Sequence, residues 1–436
     1  MKSKIVLLGG GSFYFEQVIG ELATTPDLAG CSVVLYDVDP KRMAVVRRAG
    51  QRIIEAVGAR LKLAATTDLP RALDGADFAI GSIGVHGPGQ RWHKADVDAV
   101  ARLGIIQTTG DSVGPSGISQ GLRIIPLYVE IARQMTRYCP HAFLLNHSNP
   151  MAPICRAVIK ATGIRTIGYC HNVAYETRWF ARVLGVPAEE LEVTAAGPNH
   201  ILWLLGIRHK GQDVYPELKR RILAAPPEPT RTFAREVLAL FGLYPIAGDR
   251  HIVEFFPHAR IPTKPEELLY GMQWRSDMIR EGALARELSK EPSQLQLRAQ
   301  GKLPPAIPSA ASPESMGEQI RALALGVERL DYVNTPNHGA VPNVPEWAVF
   351  ELKAVIGAEG AHPVFVGELP PQAARWSLAQ VYAHELLVDA ALEGSRTKAL
   401  QALACDPMVL NFREPEVILD ALIEAQGPRL DRFRVH

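Results

Sequence analysis

Thiolate and imidazole are good ligands for a divalent transition ion. This chain carries Cys170 in Gly168-Tyr169-Cys170-His171-Asn172 and His200 in Gly197-Pro198-Asn199-His200. Two strong ligands would leave coordination positions open for substrate oxygens. A buried cysteine and a structural histidine explain the same residues, so their place in the fold has to decide. A second group is Gly9-Gly10-Gly11-Ser12, followed by Phe13. Glycines let backbone amides approach a phosphate, and a following helix N-terminus adds a favourable field. The spacing differs from the usual G-x-G-x-x-G. Asp37 stands where an acid would hold an adenosine ribose diol and disfavour a 2′-phosphate. The expected cofactor is therefore NAD, on Gly9, Gly10, Gly11, Ser12, Phe13 and Asp37. A tight turn with a helix-capping aspartate is the alternative.

Two further segments could carry chemistry. In Asn146-His147-Ser148-Asn149-Pro150, an asparagine at a strand end can bond a nicotinamide ribose and a substrate hydroxyl. Pro150 biases Asn149 towards extended backbone and can open the next helix; a plain Asn-Pro turn would look the same. The segment from Phe241 to His251 crowds Tyr244, Asp249, Arg250 and His251 into one Gly/Pro-rich loop. Such loops on a rigid scaffold often carry chemistry. A solvated loop with one ion pair is the alternative.

These residues need elements to position them. The strand-like runs are Ile5 to Leu8, Ser32 to Tyr36, Leu61 to Ala65, Phe78 to Ile83, Ala142 to Leu145 and Thr166 to Tyr169. Helical patterns alternate with them, the first from Phe15 to Ala29 and the second opening at Pro40, where a missing N–H costs nothing. That alternation predicts an α/β fold, a Rossmann-like doubly wound parallel sheet covered on both faces. A ligand then sits at the carboxyl ends of the strands. The expected division is a dinucleotide-binding domain over 1–195 and a second, α+β domain over 196–436. Glu291 to Ser315 reads as a mobile loop or lid, and Leu378 to Leu403 as one long helix.

Composition narrows the function classes. The chain has 436 residues, enough for two cores, and 47% hydrophobic with 21% charged residues is the globular range. A net charge of +1 gives no global field to draw nucleic acid or a membrane surface. No apolar run is long enough to span a bilayer. Five scattered cysteines do not form a disulfide framework, and the start lacks a signal-peptide pattern. The expectation is a cytoplasmic enzyme with a small-molecule substrate and no nucleic-acid or membrane partner.

In this order, the pieces resemble glycoside hydrolase family 4, the NAD- and metal-dependent glycosidases. The resemblance runs through Gly9–Ser12, Ile83 to Arg91, Gly114-Pro115-Ser116-Gly117, Asn146 to Pro150, Cys170 and Asn199-His200. It ends in Val333-Asn334-Thr335-Pro336-Asn337-His338-Gly339 and Asn343-Val344-Pro345. It implies a lactate/malate dehydrogenase-like architecture, a homodimer or homotetramer, NAD, and Mn²⁺ or a similar divalent ion. It implies Cys170 and His200 as metal ligands. It places Arg91 and Asn149 against substrate, with Asn172 and Arg250 beside them. His171 falls where some members keep a proton donor. Asp249 or Tyr244 would be the base. The implied reaction is redox-neutral: oxidation at carbon 3 of the sugar, loss of the carbon-2 proton, elimination, water addition and re-reduction.

Two departures bear on the sugar. Gly84 replaces an arginine found in many phospho-glycosidases, and the stretch around Gly110-Asp111-Ser112 replaces the usual Gln-Glu-Thr. Both point away from a phosphorylated substrate. The resemblance therefore implies an unphosphorylated α-glycoside, with an α-galacturonide favoured and Arg250 or Arg91 facing its carboxylate. The competing reading is an NAD-dependent hydroxy-acid dehydrogenase of the lactate/malate type.

Overall fold

The computed structural model describes residues 2–85, 90–256, 259, 269–289, 292–308 and 315–434. The first half is built on β1 (Lys4–Leu8), β2 (Ser32–Tyr36), β3 (Lys62–Thr66), β4 (Phe78–Gly81), β5 (Phe143–Asn146) and β6 (Thr166–Gly168). They pair in parallel in the order β3-β2-β1-β4-β5-β6. This is the strand order of a dinucleotide-binding fold, whose crevice opens beside β1, where the order reverses.

The sheet continues through the second half. β11 (Arg329–Pro336) pairs antiparallel with β6, followed by β12 (Val349–Gly357), β7 (Leu191–Gly197), β8 (Leu202–His209) and β10 (Tyr244–Ile246). β9 (Gln212–Asp213) pairs with β8, and β13 (Gly360–Pro363) with β12. Central strands are apolar on both faces because both are covered. Val6 and Leu8 pack into one core, while Ile5 and Leu7 pack into another. A third core holds Trp203, Phe180, Tyr244 and Phe350. The last helices return to the first core through Leu387, Leu419 and Leu422.

The six early strands lie within a few residues of their expected positions, and Pro40 occupies the first turn of its helix. Three expectations need correction. The first helix ends at Thr24, and Pro26 opens a separate short turn, Pro26–Leu28. The long C-terminal helix is two, Pro371–Glu393 and Arg396–Ala404. Gly394, at φ +70°, terminates the first, and the Ser395 hydroxyl caps the second. The stretch expected as a lid contains a helix, Gln294–Ala299, closed by a Ser293/Gln296 capping box. Arg298 ties it to Glu16 at 2.6 Å, and Leu295 is buried in the second core. Glu291 and residues 309–314 lie outside the described residues. Among the described residues, no helix is long and apolar enough to cross a membrane.

Candidate active site

The glycine turn follows β1. The amides of Gly9 and Gly10 both donate to the Tyr36 carbonyl, at 3.0 and 2.7 Å. The Gly11 amide donates to Asp37 Oδ2 at 2.7 Å, and the Asp39 amide to Asp37 Oδ1 at 2.8 Å. Asp37 thus ties the turn to the end of β2, while helix capping falls to Asp39, which accepts from the Lys41 and Arg42 amides. Side chains are excluded here. A Cβ at Gly9 would stand 2.5 Å from the Ser82 carbonyl oxygen; at Gly10 and Gly11 the nearest atoms would be at 2.9 Å. The result is a backbone-lined cradle at a helix N-terminus, the arrangement that receives a diphosphate. Phe13, exposed at its rim, lies 5.9 Å from the Arg42 guanidinium.

Gly9→Ala is expected to damage this cradle. Gly9 sits at φ +86°, where a side chain costs about 1–2 kcal/mol before any clash. The variant should melt earlier and lose the stabilisation that NAD gives, read by thermal shift. NAD affinity within twofold of the original protein would remove the turn from the site.

From the cradle, contacts run across the strand ends. The Tyr14 hydroxyl meets His147 Nδ1 at 3.2 Å, and the His147 ring lies 6.4 Å from that of His171. Beyond β5, Asn149 Nδ2 donates to Asp111 Oδ2 at 3.1 Å. The Asn149–Pro150 peptide is cis. Asp111, His200 and His251 converge, with their ligand atoms all within 4.8 Å of one another. The Nδ1 atoms of His200 and His251 each lie 4.0 Å from Asp111 Oδ1, and the two rings are 4.0 Å apart. Ser112 Oγ lies 2.8 Å from both Asp111 Oδ1 and His200 Nδ1. Burial would raise the Asp111 carboxyl, but His251, His200 and Ser112 outweigh it and hold it well below the usual carboxylate range. Burial, reinforced by His251, pushes His200 down to about 3. One carboxylate and two imidazoles, one of them kept neutral, suit a divalent transition ion.

Two loops far apart in sequence are locked together to make this set. Glu254 Oε1 accepts from the amides of Thr108, Thr109 and Gly110 at 2.7, 2.9 and 3.2 Å. The Arg250 guanidinium donates to the Thr108 carbonyl, and the Thr108 hydroxyl donates to the Arg250 carbonyl at 2.6 Å. The loop ending in Asp111 is therefore held against the short helix Asp249–Ile252 that carries His251.

The residues expected from sequence are distributed as follows. His200 joins the cluster directly, and Asn149 through Asp111. Cys170 lies just beyond β6 and packs on Met151, Ala152, Cys155 and Val349. Burial, with Glu351 nearby, raises its thiol. His171 is exposed at the start of helix Asn172–Leu184. The loop after Phe241 presents His251 to the cluster, while Asp249 and Tyr244 are bonded elsewhere. Both Asp249 oxygens accept amides of helix Thr232–Phe241, from Phe233 at 2.8 Å and Ala234 at 2.9 Å. The buried Tyr244 hydroxyl donates to Glu176 Oε2 at 3.4 Å. Arg250 pairs with the Thr108 carbonyl and not with Asp249. Arg91 is exposed, its guanidinium 5.8 Å from the Trp92 ring centroid. His86 to Gly89, part of the Ile83-to-Arg91 stretch, lie outside the described residues.

Sequence reasoning assigned no individual role to Asp111, His251 or Glu254. The first two stood in segments already singled out, but nothing local says that they meet. It also missed Glu351, buried on β12, whose carboxyl burial pushes up to about 7. Asn199 Nδ2 donates to Glu351 Oε2 at 2.7 Å, and Asn334 adds a longer contact at 3.4 Å.

Two models of known families match almost end to end: family 4 glycosyl hydrolase over residues 4–186, and the family 4 glycosyl hydrolase C-terminal domain over residues 195–409. The chain belongs to glycoside hydrolase family 4. It is therefore a glycosidase, and the hydroxy-acid dehydrogenase reading falls away. An α-galacturonidase of Bacillus subtilis (strain 168) is 30% identical, with 93% of each chain covered. An α-galactosidase of the same organism is 29% identical, covering 99% of this family 4 chain and 100% of the relative. Among solved structures, a 6-phospho-α-glucosidase from gut microorganisms, in complex with NAD and Mn²⁺, superposes with a TM-score of 0.82 at 23% identity. That likeness covers 98% of this chain and 99% of the other.

Proposed function

We propose that this family 4 glycosidase uses NAD and a divalent metal ion, Mn²⁺ or a close relative, to cleave unphosphorylated α-glycosides, an α-galacturonide foremost. The observation that carries this reading is the convergence of Asp111, His200 and His251 beside Asn149, on the strand ends that also hold the glycine cradle. When bound, NAD supplies hydride exchange at a sugar carbon and the metal supplies Lewis-acid polarisation of a sugar oxygen.

The protein's own groups do the rest. His200, Asp111 and His251 present ligand atoms, and Cys170, the partner that the family resemblance gives His200, stands beyond β6. Asn149 Oδ1 and Asn172 Nδ2 are buried and lack protein partners among the described residues, so they supply an acceptor and a donor for sugar hydroxyls. His171, exposed beside Cys170, would hold a proton for the leaving oxygen. Asp249 or Tyr244 would act as base only after leaving its present bonds to the helix amides or to Glu176.

A panel of nitrophenyl α- and β-glycosides, uronides included, tests this with NAD, Mn²⁺ and a thiol reductant. Hydrolysis of an α-glycoside without net NADH is expected. Accumulating NADH, or full activity after exhaustive chelation, would reject the reading. Cys170→Ser separates the two ligand sets. If the thiolate binds the metal, the variant should lose both activity and the thermal stabilisation by Mn²⁺, because a hydroxyl is a poor substitute. Unchanged Mn²⁺ stabilisation would leave the ion to Asp111, His200 and His251 alone.

A further inference from the structure

Near the metal-ligating cluster stand two guanidinium groups, those of Arg250 and Arg275, that close no ion pair among the described residues. Arg250 and Arg275 are anchored to consecutive residues of the loop that carries Asp111. Arg250 donates to the Thr108 carbonyl, and the Arg275 backbone amide donates to the Gln107 carbonyl at 2.9 Å. The Arg275 guanidinium reaches Gln90 Oε1 at 3.2 Å, while its Nε is buried and has no partner among the described residues.

Two acids face Arg250, and neither closes an ion pair with it. The Glu254 carboxylate is taken up by the amides of Thr108, Thr109 and Gly110. The Asp111 carboxylate is bonded by Ser112 and Asn149. Partly buried cations of one sign at one loop are unfavourable unless an anion joins them. A guanidinium donates two parallel hydrogen bonds to a carboxylate, so a pair can clasp one from two sides.

We propose that Arg250 and Arg275 together form the subsite for an anionic group on the substrate sugar, and that this group is the carboxylate of a uronic acid. The inference rests on the function proposed above and adds Arg275 as the residue that sets specificity. A sugar phosphate shares the same chemistry, and the function proposed above, cleavage of an unphosphorylated glycoside, favours the carboxylate.

The test uses the holoenzyme, loaded with NAD and Mn²⁺. Calorimetry compares D-galacturonate, D-galactose and D-galactose 6-phosphate, and kinetics compares the nitrophenyl α-galacturonide with the α-galactoside. Galacturonate should bind more tightly than either other sugar. Arg275→Met should lower the ratio of galacturonate to galactose affinity on the order of 10–100-fold, the worth of one charge-assisted contact. The ratio of kcat/KM for the two glycosides should fall alike, and Arg275→Lys should recover part of it. Equal losses for both sugars would show a merely structural arginine and overturn the proposal. Tightest binding of galactose 6-phosphate would overturn it in favour of a phosphate. Arg275-dependent galacturonate binding in a protein that cleaves no α-glycoside would keep the clasp and sink the proposed reaction. Cleavage of α-galactosides without galacturonate binding would do the reverse.

Discussion

His200→Ala should lower kcat/KM by about 10³-fold or more and remove the stabilisation that Mn²⁺ gives the protein, because the metal's charge supplies several kcal/mol at the reacting oxygen. His200 is the ligand common to both possible sets, the cluster with Asp111 and His251 and the pair with Cys170. Its backbone is held at φ +70° and its Nδ1 meets Ser112 Oγ at 2.8 Å, so the ring is pre-oriented. Ser112→Ala keeps the ligand and loses only its support, a change worth about 10–100-fold in metal affinity. Activity and thermal stability, each titrated with Mn²⁺, distinguish the two variants. An alanine variant that retains Mn²⁺-dependent stabilisation would take His200 out of the site.

The largest effect on stability is expected at Glu254. Its carboxylate, 2% exposed, collects three backbone amides of another loop. Glu254→Ala leaves those donors buried and unpaired, at about 1–3 kcal/mol each, with some relaxation. A net loss of about 3–5 kcal/mol follows, comparable to breaking a buried charged contact. Glu254→Gln keeps an acceptor oxygen and should fall between. The loss should reach the site as well, since the clamped loop ends in Asp111 and the clamp itself lies just past His251. Urea unfolding reads the first effect, and Mn²⁺ titration reads the second. A midpoint within experimental error of the original protein would show that solvent replaces the clamp.

Much of the scaffold was legible because its signals are local. Ile5 to Leu8 followed by three glycines and a helical pattern specifies a strand, a turn and a helix within a few residues of chain. Asp37 was nominated from sequence because it follows directly on the next strand. Its observed bonds add a role that sequence did not show, fixing the Gly11 amide. Helix ends were read less well. The apolar pattern from Leu378 onward continues through Gly394, so periodicity joins two helices that a left-handed glycine divides.

The site itself divides along the same line. Sequence by itself determined the α/β class, the glycine cradle, the nomination of Asn149 and His200, and the order of motifs that carries the family. Only the tertiary structure decided that Asp111 meets His251, that Arg275 and Arg250 are both anchored to the loop ending in Asp111, and that Asp249 and Tyr244 are bonded elsewhere. The reason is range. A strand or a turn is encoded in adjacent residues, whereas the Thr108–Arg250 contact joins positions 142 residues apart. Such a meeting depends on how the second half of the sheet docks onto the first, and on a buried carboxylate, Glu254, that finds its donors only once both halves are in place.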